Sequence, residues 1–236
     1  MTQFDYTLDA PLGSRARMGL IVLQADQTLE HDMRRTICDP DVALYTTRVP
    51  SGADVTPDTL AAMAQDLPRA AGLLPPLRYD VVGYGCTSGT AVIGAEKVAA
   101  QIRQGCDARA VTEPLSALIA LCAARGTARL AFLSPYIAPV SARLREALAA
   151  QGIETPVFGS FAEAEESKVA RISQASLYTA AMALGRAPEA EAVVLSCTNL
   201  RTLEIIPRIE ADLGKPVFSS NQALMWHMRV LAGLER

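Results

Sequence analysis

Two cysteines close two similar stretches of the chain. Cys86 stands in "GYGCTSGT", residues 83–90, and Cys197 in "AVVLSCTNLRT", residues 192–202. Each follows an apolar run and precedes a threonine and a second small polar residue. A thiol at the mouth of a strand, ahead of a segment that opens a helix, lies where backbone N–H groups stabilise a thiolate. One member of such a pair is therefore expected to be a base near neutrality while the other stays an acid. Together they could take a proton from one face of a carbon and return one to the other face. They could equally add sulfur to an alkene while the partner protonates the neighbouring carbon. Both routes place charge on a carboxylate-stabilised carbon, and Thr87, Ser88, Thr198 and Asn199 are suitably typed to hold it. Neither route draws on a metal or an organic cofactor, and none is expected.

The elements that must position these thiols are legible as apolar runs of strand length alternating with longer amphipathic segments. The runs predict strands at 18–23, 43–49, 81–85, 108–111, 130–133, 154–158, 192–196 and 217–218. Helices are predicted at 56–71, opened by "TPDT", and at 91–103, 114–125, 139–150, 174–184, 202–213 and 222–231. This alternation implies an α/β fold with mainly parallel sheets.

The chain also repeats weakly on itself. "RMGLIVL" from Arg17 resembles "RLAFLSP" from Arg129, an offset of 112 (129 − 17), and the two cysteines are 111 apart (197 − 86). The agreement predicts two similar β/α lobes related by a pseudo-two-fold axis, each presenting one cysteine to a shared cleft. We expect an N-terminal extension over 1–16, a first lobe from 17–115 with 216–236, and a second lobe over 116–215, all in one compact unit.

Composition narrows the functional classes. A net charge of -3 with scattered arginines offers no basic patch for nucleic acid, and no such partner is expected. Asp5 and Asp9 interrupt the apolar stretch a signal peptide needs, and no run reaches the ~18–20 apolar residues of a membrane span, so no membrane partner and a cytoplasmic location are expected. Five cysteines without regular close spacing argue against a disulfide framework or a zinc site. No glycine-rich nucleotide fingerprint follows the first strand. Cys38, Cys106 and Cys122 read as structural thiols, and His31 and His227 as surface or packing residues. Thr112 reads either as a cleft hydroxyl or as a helix cap. Ser219 reads mainly as a cap.

With these residues in view, "YGCTSGT" and the run from "LSCTNLRT" through "GKPVFSSNQA" resemble the two cysteine motifs of the aspartate/glutamate racemase superfamily. The likeness is nearest to its maleate isomerase and arylmalonate decarboxylase branch and extends from about Met18 to Gly233. It implies that Cys86 is the nucleophile or base and Cys197 the proton donor. The decarboxylases have glycine at the first position, so Cys86 favours a cofactor-independent isomerase or racemase of a small carboxylate. A decarboxylase, or a non-catalytic carboxylate-binding protein that kept the cleft, are the alternatives. By the same resemblance Tyr136, in "FLSPY", is a substrate-binding phenol.

Two positions depart from the pattern. Asp26, in "LIVLQADQTLE", falls where maleate isomerases carry a carboxylate-binding asparagine, and Glu166 falls near another. A carboxylate there repels a dianion and attracts an ammonium. "ADQTLEH" is also similar to members of this branch among ectoine-utilisation proteins, which implies a substrate bearing an amino or acylamino group. A homo-oligomer is expected.

Overall fold

The computed structural model describes residues 1–235. β1 (Ala16–Leu23), β2 (Val42–Val49), β3 (Arg78–Gly85) and β4 (Asp107–Thr112) form one sheet, and β5 (Arg129–Tyr136), β6 (Glu154–Glu163), β7 (Ala192–Leu195) and β8 (Val217–Ser219) form a second. Every pairing within the sheets is parallel. The orders are β2-β1-β3-β4 and β6-β5-β7-β8, the same order twice. The third strand of each half in chain order, β3 or β7, delivers its cysteine just past its carboxyl end, as the repeat predicts.

The helices are α1 (Leu29–Thr36), α2 (Pro57–Ala62), α3 (Leu67–Ala71), α4 (Thr87–Ile93), α5 (Ala95–Gly105) and α6 (Pro114–Arg125) in the first half. They continue as α7 (Ala138–Ala149), α8 (Glu166–Val169), α9 (Gln174–Gly185), α10 (Ile206–Leu213) and α11 (Ser220–Leu231). The single helix expected over 56–71 is divided into α2, a 3-10 turn and α3. Pro68 explains the break, because its ring blocks the preceding turn while it is tolerated in the first turn of α3. The helix expected over 91–103 divides at Gly94, whose φ of +92° lies where only glycine sits comfortably.

Each half sends its last helix to the other sheet. Leu115, Leu118 and Leu121 of α6, which follows β4, share a core with Leu130, Phe132 and Val194 of the second sheet. Leu224, Met225 and Met228 of α11, which follows β8, share one with Met18, Leu20 and Val81 of the first. The segment 216–236, assigned above as a whole to the first lobe, therefore divides. Its strand β8 extends the second sheet beside β7, and only α11 crosses back. A further core contains Ile21 and Val82 from one sheet, Leu133 and Leu195 from the other, and both Cys86 and Cys197. The thiols thus sit where the two halves are packed together, and burial of those apolar chains holds them there.

Candidate active site

Cys86 is the N-cap of α4, and its Sγ accepts the Gly89 N–H at 3.1 Å. The glycines around it are needed for clearance. A Cβ on Gly85 would lie 2.2 Å from Leu29 Cδ2, and one on Gly89 would lie 2.8 Å from both Cys86 Sγ and Tyr84 Oη. The first glycine lets α1 close over the end of β3, and the second lets the thiol and the Tyr84 phenol approach the helix. Thr87 Oγ1 donates to Ser220 Oγ at 3.0 Å, which ties this turn to α11.

The helix expected over 202–213 after Cys197 begins four residues later than predicted. Residues 198–200 form a turn, and α10 starts only at Ile206. The Cys197 Sγ accepts the Asn199 N–H at 3.2 Å and lies 3.0 Å from Tyr136 Oη. The turn is anchored by Thr198 Oγ1 on the Gly85 carbonyl at 3.3 Å, and by Asn221 Nδ2 on the Thr198 carbonyl at 3.0 Å. Asn221 Nδ2 also donates to the buried Asp32 carboxylate at 2.7 Å. Hydrogen bonds therefore run from the carboxyl end of β3 to the second cysteine turn, and the two cysteine segments keep a fixed relation.

Two carboxylates complete the cluster. Glu166, 5% exposed, accepts from Tyr136 Oη at 2.8 Å and from Asn199 Nδ2 at 2.7 Å. Asp26, 4% exposed, accepts the N–H groups of Thr28 and Leu29 at 2.8 Å each through Oδ1. Those two bonds shape the loop that opens α1. Its Oδ2 is buried without a hydrogen-bond partner, as is Ser88 Oγ. Gln27 N–H and Thr28 Oγ1 bind Asn199 Oδ1 and its carbonyl, at 2.8 Å and 3.0 Å. Neither carboxylate forms an ion pair among the described residues. Arg48 turns one guanidinium nitrogen to the Asp26 carbonyl and the other to Glu30.

Burial governs the electrostatics. It pushes the Cys86 thiol up to about 12 and the Cys197 thiol well above its usual range, and the Glu166 and Asp26 charges push both further. The N–H groups of Gly89 and Asn199 act in the opposite direction but do not win. This overturns the expectation that the local helix field alone makes one cysteine a thiolate. Burial likewise raises Asp26 and Glu166.

Two outcomes follow. Cys38 is the exposed thiol, while Cys86, Cys122 and Cys197 are buried, so iodoacetamide should label Cys38 first in peptide mapping. The other outcome concerns stability. Because the folded pKa of Asp26 is raised, the stability it contributes is complete below its unfolded value and is lost as pH rises through the folded one. Asp26→Asn should therefore raise Tm at neutral pH, and the gain should vanish in acid. Thermal scans at several pH values read this directly.

Of the residues singled out from the sequence, Cys86, Cys197, Asp26, Thr87, Ser88, Tyr136, Thr198 and Asn199 all lie in or beside this cluster. Glu166, whose register was open, joins it through Tyr136. Thr112 does not face it. Its hydroxyl meets His227 Nδ1 at 2.8 Å, and the α6 cap is Glu113. Ser219 caps α11. Sequence reasoning missed Tyr84, Gln27, Thr28 and the Asp32–Asn221 pair, which bear on the site through packing or the backbone and carry no motif. Cys86 is 4% and Cys197 2% exposed, and a surface cavity of about 580 Å3 beside Lys215 and Trp226 lies away from them. Among the described residues no three His, Cys, Asp or Glu side chains converge on a metal position, and no helix is long and apolar enough to cross a membrane.

Comparison with known proteins shows the family and the fold. A sequence profile described as arylmalonate decarboxylase matches residues 94–236. The chain is 35% identical to an arylmalonate decarboxylase of Bordetella bronchiseptica over 111 residues, an alignment spanning 47% of this chain and 46% of that protein. It is 27% identical to a maleate isomerase of Pseudomonas putida over 235 residues, 93% of this chain and 92% of the relative. Among solved structures, a cysteine-to-alanine variant of the Pseudomonas putida S16 maleate isomerase with maleate superposes with a TM-score of 0.83 at 25% identity, covering 93% and 92% of the two chains. A liganded arylmalonate decarboxylase carrying a glycine-to-cysteine and a cysteine-to-serine change gives 0.78 at 27%, covering 92% and 93%.

Proposed function

The chain belongs to the arylmalonate decarboxylase family, in the branch shared with maleate isomerases, and from that premise we propose that it is a cofactor-independent isomerase or racemase of a small carboxylate. Cys86 and Cys197 are its acid–base pair. The observation that carries the reading is the pair itself, two buried thiols at the carboxyl ends of equivalent strands. A thiol at the first position supplies the second acid–base group that a one-cysteine reprotonation does not need.

The substrate class follows from the two unpaired carboxylates. A buried anion stabilises a ligand cation and disfavours a second ligand anion, so Asp26 and Glu166 favour a substrate that carries a protonated amino group besides its carboxylate. Ser88 Oγ and the donors around Asn199 are suitably typed to hold the substrate carboxylate as charge builds on the adjacent carbon. Thr87 and Thr198 shape the two turns.

A second reading, decarboxylation, draws support from the 35% identity to the Bordetella protein over 111 residues. A turnover screen separates the two. Maleate, aspartate, glutamate and N-acylated diamino acids are incubated in deuterated water and followed by proton NMR, with an arylmalonate included. Isomerisation or racemisation of an amino-bearing acid supports the proposal. Loss of carbon dioxide from the arylmalonate alone would support the second reading, and fast turnover of maleate alone would contradict the charge argument.

A further inference from the structure

Cys197, Tyr136 and Glu166 form an unbroken buried chain, with 3.0 Å from sulfur to phenol oxygen and 2.8 Å from phenol oxygen to carboxylate. The donor count sets its direction. Glu166 accepts at both oxygens, one from Tyr136 and one from Asn199 Nδ2, so the single Tyr136 proton is committed to Glu166 Oε1. The remaining contact must then be Cys197 S–H donating to the Tyr136 oxygen. The same three atoms accommodate the opposite order without moving, with Glu166 protonated and donating to Tyr136 and Tyr136 donating to a Cys197 thiolate.

We propose that Glu166 is the internal proton acceptor of Cys197, acting through Tyr136, so that the second cysteine becomes a thiolate without exchanging a proton with bulk water. In that step the Cys197 S–H bond breaks as its proton passes to the Tyr136 oxygen, and the Tyr136 O–H bond breaks as its proton passes to Glu166 Oε1. One S–H and one O–H bond are lost, two O–H bonds are gained, and the charge of minus one stays within the chain. Running backwards, the relay restores the thiol. Cys197 can then serve as base in one direction and acid in the other, inside a site where burial opposes a free thiolate. Among the described residues no phenol leads from Cys86 to a carboxylate. Its sulfur meets the Gly89 N–H, and Tyr84 Oη faces it from β3 while lying 3.8 Å from Met63 Sδ.

The groups that bear on this pair are few. Asp26 faces it from the loop after β1, with Arg48 of β2 behind, and Cys86 faces it from the end of β3. Asp54 and Glu166 line one small cavity, and Glu165 and Lys168 pair with each other at the surface.

The inference rests on Cys197 being an acid–base group of the site, but its test needs no substrate. The rate of Cys197 alkylation by iodoacetamide is measured by peptide mass spectrometry from mildly acid to alkaline pH. The parent protein is compared with Tyr136→Phe and Glu166→Gln. A shared proton leaves a fixed thiolate fraction once the pair has lost its first proton, so the parent rate should be flat through neutrality. Each variant cuts one link, and its rate should climb about tenfold per pH unit, as an isolated thiol does. Either variant alone suffices if the other fails to fold. A parent rate as steep as the variants', or a plateau surviving in a folded variant, overturns the relay while leaving the proposed function standing. A Cys197 unreactive at every pH overturns both, because a cleft that admits a small carboxylate admits the reagent.

Discussion

Cys86→Ser and Cys197→Ser should each lower kcat by about three orders of magnitude or more on the substrate found in the screen, with the fold intact. The expectation follows from the mechanism's symmetry of need, since one sulfur must accept a proton or attack carbon while the other delivers a proton. A serine hydroxyl fills nearly the same space in the core that holds both cysteines, so circular dichroism and Tm should change little. Its pKa is too high to replace a thiol that already ionises reluctantly. The double variant should be no worse than the poorer single variant, because residues acting as a unit are not additive. Near-normal activity in either single variant would remove that cysteine from the mechanism.

Asp26→Asn should invert the charge preference of the cleft. The Asp26 carboxylate is buried, its Oδ2 unpartnered and its nearest guanidinium committed to carbonyls and to Glu30. Its field is therefore poorly neutralised. Desolvation strengthens repulsion of a second ligand carboxylate to a few kcal/mol, so the variant's preference for maleate over an amino-bearing acid should rise by roughly a hundredfold in kcat/KM. Oδ1 carries both backbone bonds, and an asparagine Oδ1 accepts them as well, so the loop should keep its shape. Measuring kcat/KM for both ligands on both proteins decides the matter. An unchanged ratio would mean that Asp26 serves only to shape the turn before α1.

What the sequence discloses and what it hides have physical causes. All eight strands lie where apolar runs predict them, most plainly the central strands β1, β3, β5 and β7, which are buried along nearly their whole length and so must be apolar on both faces. The repeat exposes the paired placement of Cys86 and Cys197 because equivalent strands end in equivalent turns. The short helix α8 was hidden, since four residues carry no period. Glu166 consequently had no fixed position until Tyr136 and Asn199 were seen to hold it. The state of the thiols was hidden too. Sequence shows the N–H groups that lower a thiol's pKa, but only the packed structure shows the burial that outweighs them. The crossing of α6 and α11 between sheets depends on long-range packing that no local pattern records.

The measurement closest to the central claim is transfer of solvent deuterium to the substrate carbon, followed by proton NMR in deuterated water for the parent, Cys86→Ser and Cys197→Ser. The account predicts that the parent places deuterium on the carbon beside the carboxylate as isomer or enantiomer forms, and that each variant loses both events together. Product formation that continues at the parent's rate in either variant would contradict it.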